Sequence, residues 1–481
     1  MRFAVAVVLV VACGGGGSRG DAALGEAAVD DAATGDAPAD APDYYDGPEQ
    51  SGTRLKLRWY DFAGARGRPR IYDAERAETC ETARWTSGER CTPYHFVVED
   101  FADPQCTQPV LVSSLPAGLR PPYMAIGTRT CGTTVLERVD RVGTVTGATQ
   151  IFRRDPGGTC TVRNINQTVY GSAGEVTRAE LVPLTRAISP GTTRIGRQFL
   201  RSEDGLRIEL WAIDRELADE CIFEDDRTGA KPSGSRCMPR GAALAQYELD
   251  TATCLTPAIQ RDPACPLPRH VEHHPLDPAR CVIEPTRLHR VGAPIPNAFG
   301  GSPGACVAKP PQPNLYGSAG ELAIAAASRA PAVGTTRIRP IQHTADGEAF
   351  HAGLFHDADL DSDCSARTVA GTVRCMPLSA GGSIATTFYF SNDLCTTQLV
   401  LLDVPRGPAS CTSPAVSPYT ANVAADGSGA IGYQVGARYA GPLFIKSMGT
   451  CIPYAPSERD LYPLTVVPLT TFASGTIVTD P

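Results

Sequence analysis

Hydrophobic and polar positions alternate along this chain in short runs and almost nowhere fall at helical spacing. Leu55–Tyr60 (LKLRWY) and Val135–Val142 (VLERVDRV) alternate residue by residue, the period of a half-buried strand. His95–Val98, Val110–Leu115, Tyr123–Ile126, Gln150–Arg153 and Cys160–Ile165 are shorter apolar runs bounded by Gly, Pro and Asp, and read as further strands. One recipe recurs: an aromatic or apolar strand, a polar turn containing Asp, then a Cys opening the next strand. Tyr72…Cys80, Phe96…Cys106 and Phe152…Cys160 all follow it. With 41 Pro and 47 Gly to punctuate the runs, the pattern predicts an all-β fold of short antiparallel hairpins.

The pattern is written three times. Tyr72–Pro93, Ile213–Pro239 and His356–Pro377 each carry an Asp seven residues before a Cys, an acidic residue two after that Asp, and a closing Arg-Cys-x-Pro. The leading Asp falls at Asp73, Asp214 and Asp357, so the copies are 141 and 143 residues apart. Gly-Thr-Arg-Leu at Gly52–Leu55 returns as Gly-Thr-Thr-Arg-Ile at Gly191–Ile195 and Gly334–Ile338. Tyr-Gly-Ser-Ala-Gly-Glu occurs at Tyr170–Glu175 and Tyr316–Glu321 and is degraded at Tyr454–Glu458; divergence in the last copy is usual for a terminal repeat. Val-Pro-Leu-Thr closes the first repeat at Val182–Thr185 and the third at Val467–Thr470.

Three tandem repeats of about 142 residues therefore divide the folded part into 51–190, 191–333 and 334–481. Many meander sheets in one repeating chain best remove their exposed edges by closing, as in a β-propeller of roughly six to nine blades. The alternative is three tandem β-sandwich domains. The join Val182–Arg197 has no linker composition, which favours the propeller.

Charge narrows the partners. There are 44 basic against 52 acidic residues, and only four of the basic ones are Lys, so nucleic acid is not an expected partner. Met1-Arg2 followed by the apolar run Phe3–Val11 has the form of a signal peptide, too short to span a bilayer. Val10–Cys13 (VVAC) resembles the lipobox of bacterial lipoproteins. That resemblance implies removal of residues 1–12, lipidation of Cys13, and, with Gly14 rather than Asp next, placement at the outer membrane. From Gly14 to Gln50 the chain holds nine acidic residues and one Arg, so 13–50 is expected to be a lipidated, self-repelling tether.

Of 17 cysteines, Cys13 is set apart and sixteen remain, an even number suited to disulfides in an oxidising compartment. The expected hairpin bridges are Cys80–Cys91, Cys221–Cys237 and Cys364–Cys375, each closing a loop worth roughly 3 kcal/mol by chain entropy. Cys106–Cys131, Cys254–Cys281 and Cys395–Cys411 are the next expected pairs, leaving Cys160, Cys265, Cys306 and Cys451 unassigned. No C-x-x-C is present to suggest zinc.

Candidate chemistry is sparse. Asp357, Asp359, Asp361 and Asp363 alternate as carboxylates do in a calcium loop, but Ser362 and Thr368 stand where an EF-hand needs Gly and Glu. Capping of the turn amides by the leading Asp, or its pairing with the Arg of Arg-Cys-x-Pro, accounts for all three copies; calcium accounts for one. His270, His273 and His274 cluster in a Pro-rich stretch, expected to be a solvated loop. G-x-S-x-G at Gly16–Gly20 and Gly300–Gly304 lacks the strand-to-helix setting of a nucleophile elbow. Trp59, Trp85 and Trp211 do not share a repeated position and are expected to pack strands. No catalytic residue and no cofactor, calcium apart, is assigned.

The lipobox, the acidic tether, the Asp-x-[Asp/Glu] turn, Arg-Cys-x-Pro and Tyr-Gly-Ser-Ala-Gly-Glu together resemble the uncharacterised cysteine-rich repeat lipoproteins of high-GC Gram-negative bacteria. The resemblance spans the chain and implies location and architecture, with no catalytic residues to carry over. The expected function is a non-enzymatic extracellular binding or adhesion module for a glycan or protein, held at the envelope. The alternatives are an envelope hydrolase with a carboxylate site in a propeller funnel, or a purely structural envelope protein. A catalytic site should rest on carboxylates unique to one or two positions, whereas a lectin-like binder should present equivalent residues from all three repeats.

Overall fold

In a computed structural model, the described residues are 48–481 except 114–120, 132, 155–157, 226–233, 246–248, 250–253, 255, 262, 264, 274–285, 301–305, 379–381, 406–415, 425–428, 448 and 457–458. Regular structure among them is almost wholly β-strand; the exceptions are the short 3-10 turns Arg178–Glu180 and Leu469–Thr471.

Five strands from each repeat make one pairing circuit. The first repeat supplies β1 (Leu55–Phe62), β2 (Arg70–Asp73), β3 (Glu78–Trp85), β4 (Gly88–Pro93) and β5 (Pro183–Ile188). The second supplies β6 (Ile195–Arg201), β7 (Arg207–Asp214), β8 (Asp219–Asp225), β9 (Gly234–Pro239) and β10 (Ala326–Pro331). The third supplies β11 (Ile338–Ala345), β12 (Glu348–Asp357), β13 (Ser362–Val369), β14 (Thr372–Pro377) and β15 (Ser474–Thr479). Each strand pairs antiparallel with the next, and β15 returns to pair with β1.

Register repeats with the sequence. Leu55, Ile195 and Ile338 stand opposite Asp73, Asp214 and Asp357. Cys80, Cys221 and Cys364 stand opposite Pro93, Pro239 and Pro377. The amides of Cys91, Cys237 and Cys375 donate to the carbonyls of Val182, Ala325 and Ala473, all at 3.0 Å. A circuit with an odd number of antiparallel steps cannot be the parallel staves of one cylinder, because direction would reverse on returning to the start. Strands must therefore turn corners and change partner partway along. β1 pairs with β2 through Leu55–Arg58 and with β15 through Arg58–Asp61. β5 pairs with β4 at Pro183 and Leu184 and with β6 from Thr185 onward.

Three cores lie between repeats. Leu55, Ile71, Cys80 and Cys91 pack with Leu200, Leu206 and Ile208 of the second repeat. Ile195, Cys221 and Cys237 pack with Ala345 and Phe350 of the third. Ile338, Cys364 and Cys375 pack with Phe62 and Ala65 of the first. Separate sandwich domains would bury only cores of their own; here the three circuit cores each take residues from two repeats, while the inserts bury further clusters within one repeat, such as Tyr123, Leu136 and Val176 in the first and Tyr389, Leu401 and Leu461 in the third.

Between its fourth and fifth circuit strands each repeat carries an insert, 94–182, 240–325 and 378–473, with short strands of its own. The Tyr-Gly-Ser-Ala-Gly-Glu copies form bulged strands there. Ser172 and Ser318 accept from the amides of Gly174 and Gly320, whose φ of 120° and 118° only glycine adopts readily. Val-Pro-Leu-Thr is not a matched closing motif. Val182–Thr185 enters β5, while Val467–Thr470 ends an insert strand and leads into the 3-10 turn before β15.

Candidate functional site

The thrice-written block is a clamp. Asp73 Oδ1 accepts from the amides of Glu75 (3.1 Å) and Arg76 (3.3 Å), Asp214 Oδ1 from Glu216 and Leu217, and Asp357 Oδ1 from Asp359 and Leu360. The ionic partner is not the Arg of Arg-Cys-x-Pro. It is the Arg of the Gly-Thr-Arg motif: Arg54, Arg194 and Arg337 each reach the buried carboxylate at 2.6–2.7 Å. The same guanidiniums donate to the carbonyls of Glu180, Ala323 and Thr471, where each insert returns to the circuit. Arg90 and Arg374, of Arg-Cys-x-Pro, instead donate to the carbonyls that open and follow the 3-10 turns, Arg178 and Leu181 in the first repeat and Leu469 and Phe472 in the third. Every partner of the leading Asp and of these arginines is structural.

The calcium candidates face basic side chains of the protein, with Arg337 reaching both Asp357 and Asp359 and His356 reaching both Asp361 and Asp363. Asp357 is held by Arg337, Asp359 is exposed, Asp361 is exposed with a left-handed backbone (φ 49°), and Asp363 is shared by Arg329 and His356. Ala77 and Ala218 occupy that left-handed position in the other copies, so the place selects a turn conformation rather than a carboxylate. Among the described residues no group of three or more His, Cys, Asp or Glu side chains is placed to hold a metal ion. His270 and His273 lie buried in the strand His270–His273, not on a solvated loop; His274 lies outside the described residues, as do Cys13, Gly16–Gly20 and Ser302. Trp85 is buried with its indole N–H on Thr92, whereas Trp59 donates to Asp480.

Seven disulfides join described residues. Cys80–Cys91, Cys221–Cys237 and Cys364–Cys375 staple the hairpins β3–β4, β8–β9 and β13–β14. The expected Cys106–Cys131, Cys254–Cys281 and Cys395–Cys411 pairs give way to Cys106–Cys160, Cys254–Cys306 and Cys395–Cys451. The reason is local in the first insert. Gln150–Arg154 pairs with both Asp100–Phe101 and Cys160–Asn164, which carries Cys160 to the turn holding Cys106. Cys131 lies at the tip between Tyr123–Thr130 and Thr133–Val145 and bonds to Cys265, tying the first insert to the second. Cys281 and Cys411 lie outside the described residues.

A cavity of about 250 Å³ opens where the three repeats meet. Equivalent segments wall it, 68–71, 208–211 and 352–354, with parts of β3 and β13 beside them. The side chains are not equivalent. Arg68, Glu209 and Ala352 share one place in the repeat, and Glu81, Ile222 and Ser365 share another. Burial pushes the Glu81 carboxyl up to about 7, against the pull of Arg70. Burial likewise pushes Glu209 up to about 7, with Arg197 and Arg68 opposing and Glu49 adding to the rise. Arg68 and Arg240 lie over the Trp211 ring at 4.6 and 4.3 Å, and Arg70 lies over Tyr60 at 5.1 Å. Glu81 lies inside the block Tyr72–Pro93, but at a place the block does not repeat, and Arg68, Arg70, Glu209, Trp211 and Arg240 belong to no motif. The available signal was that the leading strands of three matched repeats differ in charge at matched places.

Fold and disulfides define a class: a three-repeat, disulfide-stapled all-β protein of an oxidising, extracytoplasmic compartment, with a cavity shared by its repeats. The chain belongs to a family of unknown function (DUF7481), whose pattern matches residues 28–468. No curated protein and no solved structure matches it. No helix among the described residues is long and apolar enough to cross a membrane.

Proposed function

We propose that the protein is a non-enzymatic binding module of the cell envelope, anchored at the outer membrane through lipid on Cys13 and the acidic tether 13–50. It takes one extracellular ligand in the cavity where its repeats meet. The observation that carries this reading is the cavity itself: all three repeats wall it, yet matched places hold Arg68, Glu209 and Ala352. A lectin-like face would repeat its residues; a single asymmetric site would not. The pairing circuit supports a closed β-scaffold around that site, though its strand pairing runs unbroken through all three repeat junctions where propeller blades would be separate sheets. A surface of this kind needs no lid and no helix, only a rigid wall.

An envelope hydrolase is the second reading. Glu81 and Glu209 line the same cavity with carboxyls held near 7, the range of a general acid at neutral pH. The test is capture by the soluble form starting at residue 48 from envelope and extracellular extracts, followed by incubation with polysaccharide and peptide libraries. Specific retention without turnover is the expected result. Turnover that disappears in Glu81→Gln or Glu209→Gln would replace binding with hydrolysis.

A further inference from the structure

We infer that the ligand of this cavity is an oxyanion, a small molecule or chain end bearing a carboxylate, phosphate or sulfate group, engaged by the guanidiniums of Arg70 and Arg84. The inference rests on the reading of the cavity as a ligand site and adds the ligand's chemical class.

Charge is the first argument. Six arginines and three glutamates line the cavity, a formal excess of three positive charges inside a chain whose net charge is −8. A positive pocket in an acidic protein attracts anions where the rest of the surface repels them, so an anion has one favoured place to bind. Commitment is the second argument. Arg186 is spent on a bidentate pair with Glu89 and on Glu220, and Arg240 is 3.4 Å from Glu220. Arg68 donates to the backbone carbonyls of Glu209 and Leu210. Arg84 has no carboxylate partner among the described residues, and Arg70 rests on Tyr60 with Glu81 as the nearby carboxyl. These two sit on β2 and β3, neighbouring strands of one wall. Stacking is the third argument. Both cavity aromatics already carry guanidiniums over their rings, so the groups offered to a ligand are planar forks of N–H donors, whose complement is an oxyanion.

The experiment is titration calorimetry on the full chain in detergent, at constant ionic strength, with inorganic phosphate, sulfate, citrate, an oligouronate and a neutral oligosaccharide of equal length. At least one anion should bind saturably at one per chain. Arg84→Gln and Arg70→Gln should each weaken it tenfold or more, and Glu81→Gln should tighten it. Phosphate and sulfate separate from citrate and oligouronate by which arm binds. Binding of the neutral oligosaccharide as tightly as the oligouronate overturns the oxyanion inference and leaves the binding reading standing. An anion that binds with unchanged affinity in both arginine variants also overturns it. No binding in any arm overturns both.

Discussion

Two of the three junctions between repeats are laced by an arginine that bridges two carboxylates, and the third carries only the more exposed single pair of Arg66 with Asp480 at 3.4 Å. At the first, Arg186 joins Glu89 of its own repeat to Glu220 of the next. At the second, Arg329 joins Asp225 to Asp363 at 2.9 and 2.8 Å from the equivalent place. At the third, where the last repeat meets the first, those places hold Ile477 and Thr79. The turn caps follow the same division. Asp204 accepts from the amides of Arg54 and Leu55, and Asp346 from that of Ile195, but the first repeat offers only the Ala63–Gly64 tip to the third. The closing junction relies instead on Phe62 packed edge-on against Phe355 at 5.1 Å, the Trp59 indole on Asp480, and backbone pairing of β1 with β15. The difference teaches where the fold is specified. The ion-laced junctions join strands that are consecutive in the chain, so charge there fixes register between neighbours already held close. The closing junction must bring the two ends of the fold together, and it does so with apolar surface and main-chain pairing, which tolerate small errors of approach.

The comparison breaks most readily at the closing strand. Deleting residues 474–481 removes β15 and uncovers Phe62 and Val373, and we expect a loss of more than about 4 kcal/mol, in the range reserved for core disruption. Urea unfolding would check it, and retention of a single wild-type transition would count against closure. Arg329→Ala should cost about 3–5 kcal/mol, because the side chain is 5% exposed and its removal leaves two carboxylates facing each other. Asp357→Asn keeps a turn acceptor but loses the pair with Arg337, for about 1–3 kcal/mol by the same denaturation. The cavity carboxylates give a pH signature that the junction ions do not. With folded-state values near 7 against 4.5 when unfolded, Glu81 and Glu209 favour the fold fully below pH 4.5 and lose that contribution as pH rises through 7. Melting temperatures from pH 4 to 8 should fall across that window, and less steeply in Glu209→Gln. The smallest effect sharpens the comparison: Thr79→Glu with Ile477→Arg, which installs the missing bridge, should change stability by less than about 1 kcal/mol, since Ile477 is exposed.

Much of the scaffold was legible and little of the cavity. Period-2 alternation located Leu55–Tyr60 and Val135–Val142 within the strands Leu55–Phe62 and Thr133–Val145 because strand periodicity is local. The turn Asp was legible for the same reason, but its Arg partner lies 19–20 residues upstream and is joined to it only by strand pairing. Hairpin disulfides separated by 11, 16 and 11 residues could be read; those separated by 54, 52 and 56 depend on how the inserts fold back. Their near-constant spacing is the one trace of that folding in the sequence. Arg70, Arg84 and Glu81 share two paired strands of the first repeat, but they meet Glu209 and Trp211 of the second and the 352–354 wall of the third only because the repeats converge, and no local pattern encodes convergence.

The pairing of β15 with β1 places Asp480 within hydrogen-bonding distance of Leu57 and Trp59. The ends of the folded region are therefore neighbours, and the polypeptide could be rejoined there and reopened at another hairpin, such as Thr86–Ser87, as a circular permutant with every strand pair retained. In such a molecule the seam that lacks an arginine bridge would become an ordinary loop, and one of the bridged seams could be made to carry the cut.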